Sequence, residues 1–458
     1  MNTKRMMRWI IVLFLLAALP VMTAVLAQGQ EPVFQAPAAV ELEVAIPWQN
    51  TETEPNDAFG TADEMVIGSV GGGLMDKAND VDYFKLEQTV YYSMFVEDTN
   101  YPILINLVSD WESYNWRLCL YSFDFVQLNC DSGNVDRLLY FNLEADKTYY
   151  LKVENAFGLW GSNIKYQILL SHPLLISAAA AGLGTGTVAG IPFQAGDIMA
   201  WSEYHVNNAT YEKWVMLFDL SDRGVKGNLN NLAGGWRNSD YLLMSFAANI
   251  TLPGISGTVT PWEVVVYDPM QSGPNTGGTF LQRWWDGRAH DLTTSAEKLD
   301  AIDWPNWSGR TRLFASTTGT AKVTKPSGAV LKLADEDVGL WSASASEKWA
   351  HELDLTTVTG LSGASAGDVI ALSKTVSSEW MWYGTMFGDW SYHLVVQGAS
   401  TCGGDRVTQK DIISVRYAVD GEDLDLGLYC AGIAWHGPDH GWNYNIDAIE
   451  WYNHPYGQ

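Results

Sequence analysis

Residues 51–65 read TETEPNDAFGTADEM, and Glu54-Pro55-Asn56-Asp57 within them stand at the threshold of a strand-rich region. Proline fixes φ, lacks a backbone donor and pushes the residue before it towards extended backbone, so the chain enters this region stretched. Glu52, Glu54, Asn56 and Asp57 crowd one short stretch, and Asp80 and Asp82 follow in NDVDYF at 79–84. Carboxylates held that close repel one another unless a cation joins them. Calcium takes roughly six to eight hard oxygen ligands of this kind. The alternative is a solvated turn in which Asn and Asp act as local caps.

Outward from this stretch, Thr51 to about Ser171 carries short runs: DYFKLEQ, YYSMFVE, ILINLVS, WRLCLYSF, LLYFNLE, TYYLKVE and YQILLS. Aromatic and β-branched residues, alternation, and turns of Gly, Asn and Asp mark these as strands. Seven or eight strands in roughly 120 residues predict a β-sandwich.

Several of these landmarks, in order, resemble the bacterial pre-peptidase C-terminal (PPC) domain: EPND at 54–57, Ala62, NDVDYF at 79–84, TYYLKVEN at 148–155 and YQILL at 166–170. The resemblance covers nearly all of residues 51–171. It implies a jelly-roll-like β-sandwich of the kind appended to secreted enzymes and surface proteins, where related modules bind collagen or polysaccharide. It also implies structural Ca2+ held by Glu54, Asn56, Asp57, Asp80 and Asp82, with Glu52 beside them. The module accompanies peptidases and does not itself cleave.

The chain begins MNTKRMMRWIIVLFLLAALPVMTAVLAQGQ. A basic start, an apolar run and small residues at Val25 and Ala27 form the layout of a secretory signal peptide at 1–27, cleaved after Ala27. An uncleaved anchor is the alternative, because the run approaches the roughly 20 residues needed to span a bilayer. Residues 28–50, rich in Pro and small side chains, are expected to be a linker, and no later stretch is apolar enough to span. A secreted or cell-surface location follows.

Export gives the cysteines a role, since disulfides persist in oxidising compartments. Cys119 and Cys130 flank the hairpin RLCLYSFDFVQLNC at equal distance from Asp124-Phe125, which places them opposite each other. Cys402 and Cys430 are then left to pair, with free thiols as the alternative. The net charge of −26 disfavours nucleic acid and anionic membrane as partners.

Residues 172–458 differ in character, and about 430 residues beyond the signal exceed one ordinary core. GDIMAWS at 196–202, WEVVVYD at 262–268, EDVGLWS at 336–342 and KDIISVR at 410–416 are similar to one another. Three further series fall between them. The first comprises VMLFDLSDRGV from Val215, LQRWWDGRAHDL from Leu281 and AHELDLTTVTGL from Ala350. The second comprises NLNNL at 228–232, KLDAIDW at 298–304 and GDVIALS at 367–373, and the third YLLMSF at 241–246, TRLFAS at 311–316 and YHLVVQG at 392–398. Four strand-like segments recurring at roughly 70 residues predict a β-propeller-like repeat domain or another stacked-sheet form. The last segment, NIDAIEWY at 445–452, is expected to close one sheet with the first.

Motifs for chemistry are sparse here. His436, Asp439 and His440 in AWHGPDHGWNYN are metal-competent residue types, but the Gly and Pro around them predict a turn. HELD at 351–354 lacks the second histidine of a zinc-protease helix. Asp219, Asp286 and Asp354 recur at equivalent positions, which points to a structural turn, since a catalytic acid is needed once per site. Trp284, Trp285, Trp304, Trp307, Trp380 and Trp382 are the densest tryptophans and the candidate ligand-binding residues, with core packing as the alternative use.

The sequence therefore predicts an exported, non-catalytic, calcium-stabilised binding or cell-surface protein engaging extracellular glycan or protein. The alternative is a secreted hydrolase, a glycosidase or peptidase-associated enzyme with its site in the repeat domain. A glycosidase needs only two facing carboxylates, which sequence does not pair.

Overall fold

The computed structural model describes residues 46–86, 100–109, 115–133, 137–144, 147–161, 163–178, 185–207, 209–225, 229–234, 241–304, 311–363, 369–377, 381–382, 385–386, 389–397, 400–417 and 428–451. Residues 1–45, where the signal peptide and most of the linker are expected, lie outside them. The described chain is all-β, with short 3-10 turns and several separate sheets.

Two sheets form from residues 63–171. Asp63–Met65, Val81–Leu86, Tyr149–Asn155, Trp116–Tyr121 and Gln127–Gly133 make the first, in that spatial order. Val70–Leu74, Lys165–Ser171, Asn100–Val108 and Arg137–Glu144 make the second. The alternation in VDYFKL and YYLKVEN turns every second residue inward, as a sheet with one wet face requires. Phe84, Trp116, Leu118 and Leu151 from the first sheet meet Ile103, Ile105, Ile168 and Leu170 from the second in one core.

The runs ILINLV and YQILLS do not alternate, because the second sheet is buried on both faces. Its far side carries Leu104, Leu138 and Tyr140 into a cluster with Leu175, Ile198, Leu217 and Phe218. Leu169 joins Val70, Tyr204 and Val206 in another. The residues after 171 thus build their first sheet directly against the second one.

Residues 174–451 contain four antiparallel four-stranded sheets. In sheet I the order is Ala209–Phe218, Ile198–Val206, Leu174–Ala178, Ile446–Trp451. Sheet II comprises Leu229–Ala233, Leu242–Phe246, Glu263–Gln271 and Gly277–Asp286. Sheet III comprises Leu299–Asp303, Arg312–Thr317, Asp337–Ser342 and Trp349–Asp354. Sheet IV comprises Val369–Ser377, Asp389–Val396, Asp411–Tyr417 and Leu428–His436. The last strand does join the sheet of GDIMAWS, with LLISA at 174–178 between them (Leu174↔Trp451, Leu174↔Trp201).

The four leading strands, Leu229–Ala233, Leu299–Asp303, Val369–Ser377 and Ile446–Trp451, each lie against neighbours from the other sheets. Each sheet repeats one local device. The acid opening its third strand accepts a backbone N–H from three residues upstream: Asp197 from Gln194, Glu263 from Thr260, Asp337 from Ala334 and Asp411 from Thr408, at 2.7–2.8 Å. This closes the turn that aims the strand, and it explains why an acid precedes each apolar run.

Cys119 and Cys130 face each other in register and form a disulfide, Cα–Cα 4.1 Å. Cys402 and Cys430 form the second, Cα–Cα 5.3 Å, tying a short strand of Ser400–Cys402 to the outer edge of sheet IV.

Candidate metal centre

The entering segment is laid along the strand Val70–Leu74. Thr51 N and Glu52 N both approach Gly72 O, at 3.0 and 3.3 Å, and Gly72 N donates to Thr51 Oγ1 at 3.0 Å. The run Gly71-Gly72-Gly73 permits this. A Cβ on Gly72 would collide with Gln49 O, and one on Gly73 would occupy the space of the Glu52 carboxylate and the Tyr166 hydroxyl. Glycine in a strand often marks such a close approach. Leu74 N then fixes Glu52 Oε1 at 2.7 Å. Asp63 Oδ2 accepts from Thr53 N (2.8 Å) and Asn56 Nδ2 (3.1 Å), and Asn56 O accepts from Tyr83 N (3.1 Å).

These bonds bring Glu52, Glu54 and Asp82 together, each offering an oxygen within 4.8 Å of the others. Asp82 is fully buried, and its Oδ2 accepts from Tyr166 OH at 2.5 Å; the same hydroxyl reaches Glu52 Oε2 at 3.3 Å. Burial, then the charge of Glu52, pushes the Asp82 carboxyl up to about 9. Burial likewise pushes Glu52 up to about 7, against the opposing bond from Leu74 N. Buried polar atoms without partners cost free energy, and Asp82 Oδ1 and Asn56 Oδ1 are two such atoms.

A second group shares Glu54: Glu54, Asp76 and Asp80 also bring oxygens within 4.8 Å of one another. Asp80 accepts from Asp76 N (2.7 Å) and Val81 N (3.1 Å), and burial raises its carboxyl despite those bonds. Lys77 faces this group, with Nζ 2.7 Å from Asp57, 3.2 Å from Glu54 and 3.5 Å from Asp80. Its ammonium is held charged, chiefly by the Asp57 bond.

Of the six candidate ligands, the inner group therefore holds Glu52, Glu54 and Asp82. Asn56 is pinned by its amide to Asp63, Asp80 belongs to the second group, and Asp57 turns to Lys77. Asp63, Asp76, Lys77 and Tyr166 escaped the sequence reading. A tyrosine at an inward strand position was the available signal, because a buried phenol needs a partner. The donor set fits a hard cation: three converging carboxylates, of which the buried Asp82 Oδ1 lacks a partner.

The other candidates have structural places. Asp219, Asp286 and Asp354 cap 3-10 turns, accepting from Ser221 N, Arg288 N and Thr356 N at 3.0, 3.0 and 2.8 Å. His436 stands at the equivalent cap in sheet IV and pairs with Asp411. Asp337, His351 and Asp354 come close enough to hold a metal. The His351–Asp337 pair, at 3.0 Å, nonetheless matches the Arg283–Glu263 pair of sheet II, at 2.6 Å. His440 is stacked on Trp435 (5.2 Å, 12°), and His290 is stacked on Trp285 (5.3 Å, 23°) at the corresponding turn.

Trp285 is buried in the seam between sheets II and III with Trp341 and Trp349. Trp284 and Trp304 are half-buried and meet edge to face at 4.7 Å. Trp307 and Trp380 lie outside the described residues, and Trp382 is described only as backbone in the short strand Met381–Trp382. Exposed aromatic surface gathers elsewhere. On the outer face of the first sheet, Phe59 contacts Tyr83, Tyr121, Phe125 and Tyr150, with centroids 4.4–5.4 Å apart. Phe125 is 51% exposed, Val126 58% and Phe123 47%. The signal was in SFDFV: two phenylalanines at a hairpin tip, where polar residues and glycine are usual.

No family model matches the chain, and no curated protein matches it in sequence. Among solved structures, it is similar to the pre-peptidase C-terminal domain of a collagenase from Bacillus anthracis. That match has 13% identity and a TM-score of 0.19, covering 26% of this chain and 99% of that one. Among the described residues, no helix is long and apolar enough to cross a membrane.

Proposed function

We propose that this chain is an exported, non-catalytic binding protein: a calcium-tied β-sandwich of the pre-peptidase C-terminal type, followed by a four-bladed propeller-like domain, presented to an extracellular glycan or protein. The observation that carries the binding assignment is the aromatic surface around Phe59, Phe125 and Tyr150, with Phe123 and Val126 exposed beside it. Contiguous exposed apolar surface is rare on a protein that binds nothing. The four repeat sheets with their leading strands side by side favour the propeller form, and the two disulfides favour an oxidising compartment.

Calcium would be held by Glu52, Glu54 and Asp82 with the Asn56 amide oxygen, and would supply positive charge that cross-links the entering segment to the sandwich. The acids that open the third strands, with Asp219, Asp286 and Asp354, serve as turn closures and caps, which supports the non-catalytic reading for those residues. The test mixes the protein, in calcium, with insoluble polysaccharides and matrix proteins and follows the supernatant by mass spectrometry. Depletion without released fragments, lost in Phe125→Ser, is the expected result. Fragments accumulating with time overturn it in favour of a hydrolase.

A further inference from the structure

Glu54 belongs to two acidic groups at once, the inner one with Glu52 and Asp82 and the outer one with Asp76 and Asp80. The outer group already meets a cation. Lys77 Nζ lies 3.2 Å from Glu54 Oε2, 2.7 Å from Asp57 Oδ2 and 3.5 Å from Asp80 Oδ1, and its side chain is 45% exposed, able to swing away. Lys77 meets the inner group at the shared Glu54, while Asp82 Oδ1 is a buried atom without a partner, as is Asn56 Oδ1 in the entering segment.

We infer that Lys77 is a resident counter-cation that competes with a divalent ion for Glu54. This rests on the calcium assignment above and adds to it the element that sets affinity. An ion entering between Glu52 and Asp82 completes its carboxylate set by drawing Glu54 from the ammonium. Lys77 then keeps Asp57 and Asp80, which stop it from becoming an unpaired charge. A tethered ammonium stays beside the site whatever the bulk cation concentration, and its unit charge also repels the incoming ion. Lys77 therefore weakens the site, so that it fills only where calcium is abundant, as in extracellular modules with Kd of about 10⁻⁴–10⁻³ M.

The experiment titrates Ca2+ by calorimetry into the chelator-stripped full-length protein and its variants. Lys77→Met is expected to tighten Kd about tenfold, the effect of removing one adjacent positive charge in a largely solvated setting. Lys77→Arg keeps the charge and is expected to stay within about twofold of the parent. So is Lys85→Met, which breaks the Lys85–Glu64 pair (3.6 Å) on the same sheet. Lys77→Gln removes the same charge with a polar side chain, should the methionine variant not fold. Unchanged or weaker Kd in the charge-removing variants, with the parent still binding, overturns the inference and leaves the calcium assignment standing. Equal tightening by Lys77→Arg also overturns it. A parent that binds no Ca2+, or an Asp82→Asn variant that binds as the parent does, overturns the calcium assignment and the inference with it.

Discussion

Replacing Asp82 by Asn keeps the shape of the side chain and removes the charge that the fold buries. The folded-state carboxyls of Asp82 and Glu52 are raised to about 9 and about 7, mainly by burial, from 3.8 and 4.5. A raised carboxyl means that the folded chain holds protons the unfolded chain has released. In chelator, stability must therefore fall as pH rises, from about pH 4 up to the raised values. Each such proton contributes about 1.4 kcal/mol per pH unit. One full proton across pH 5 to 8 would amount to about 4 kcal/mol. Sharing between the two carboxyls and local relaxation reduce this to about 2 kcal/mol, roughly a thirtyfold loss of hydrogen-exchange protection.

The assay is hydrogen exchange, corrected for intrinsic rate, on peptides covering Val81–Leu86 and Tyr149–Asn155 in chelator and in millimolar calcium. Protection in the parent should decline from pH 5 to 8 in chelator and be restored by calcium. Asp82→Asn should decline less steeply, keeping only the slope that Glu52 contributes below about pH 7, and should be better protected than the parent at pH 8 in chelator and indifferent to calcium. Protection that is constant or rises with pH in chelator would refute the reasoning, as would an Asn variant less protected than the parent there.

Gly73→Ala puts a methyl group into the space of the Glu52 carboxylate and the Tyr166 hydroxyl. It should cost about 1–3 kcal/mol and appear as faster proteolysis within residues 46–54. Asp286→Ala removes a cap to Arg288 N and should cost about 1 kcal/mol by denaturant unfolding, with binding to any retained matrix unchanged. Phe125→Ser alters a half-exposed ring. It should cost about 1 kcal/mol through its contacts with Phe59 and Tyr150, with the fold retained, while reducing retention on that matrix; equal retention would move the binding face elsewhere.

The sequence by itself determined most of the strands (YYSMFVE at 91–97 lies outside the described residues), their grouping into repeats and the pairing of Cys119 with Cys130. These depend on local rules: alternation, turn residues and equal distance from a hairpin tip. The structural use of Asp219, Asp286 and Asp354 was legible for the same reason, since repetition exposes a cap. The acids of the candidate site were legible as a crowd, but not as two groups. That division depends on Tyr166, 84 residues from Asp82 along the chain, and on Lys77 choosing among three carboxylates across a turn. The insertion of Leu174–Ala178 between the first and last repeat strands was hidden too, because LLISA carries no partner signal of its own. Whether a tryptophan is anchor or core was likewise undecided, since Trp284 and Trp285 read alike in sequence and differ only in which face of their strand meets the next sheet. Local chemistry writes the elements; which charges share a space, and which rings see water, is fixed only when distant strands close around them.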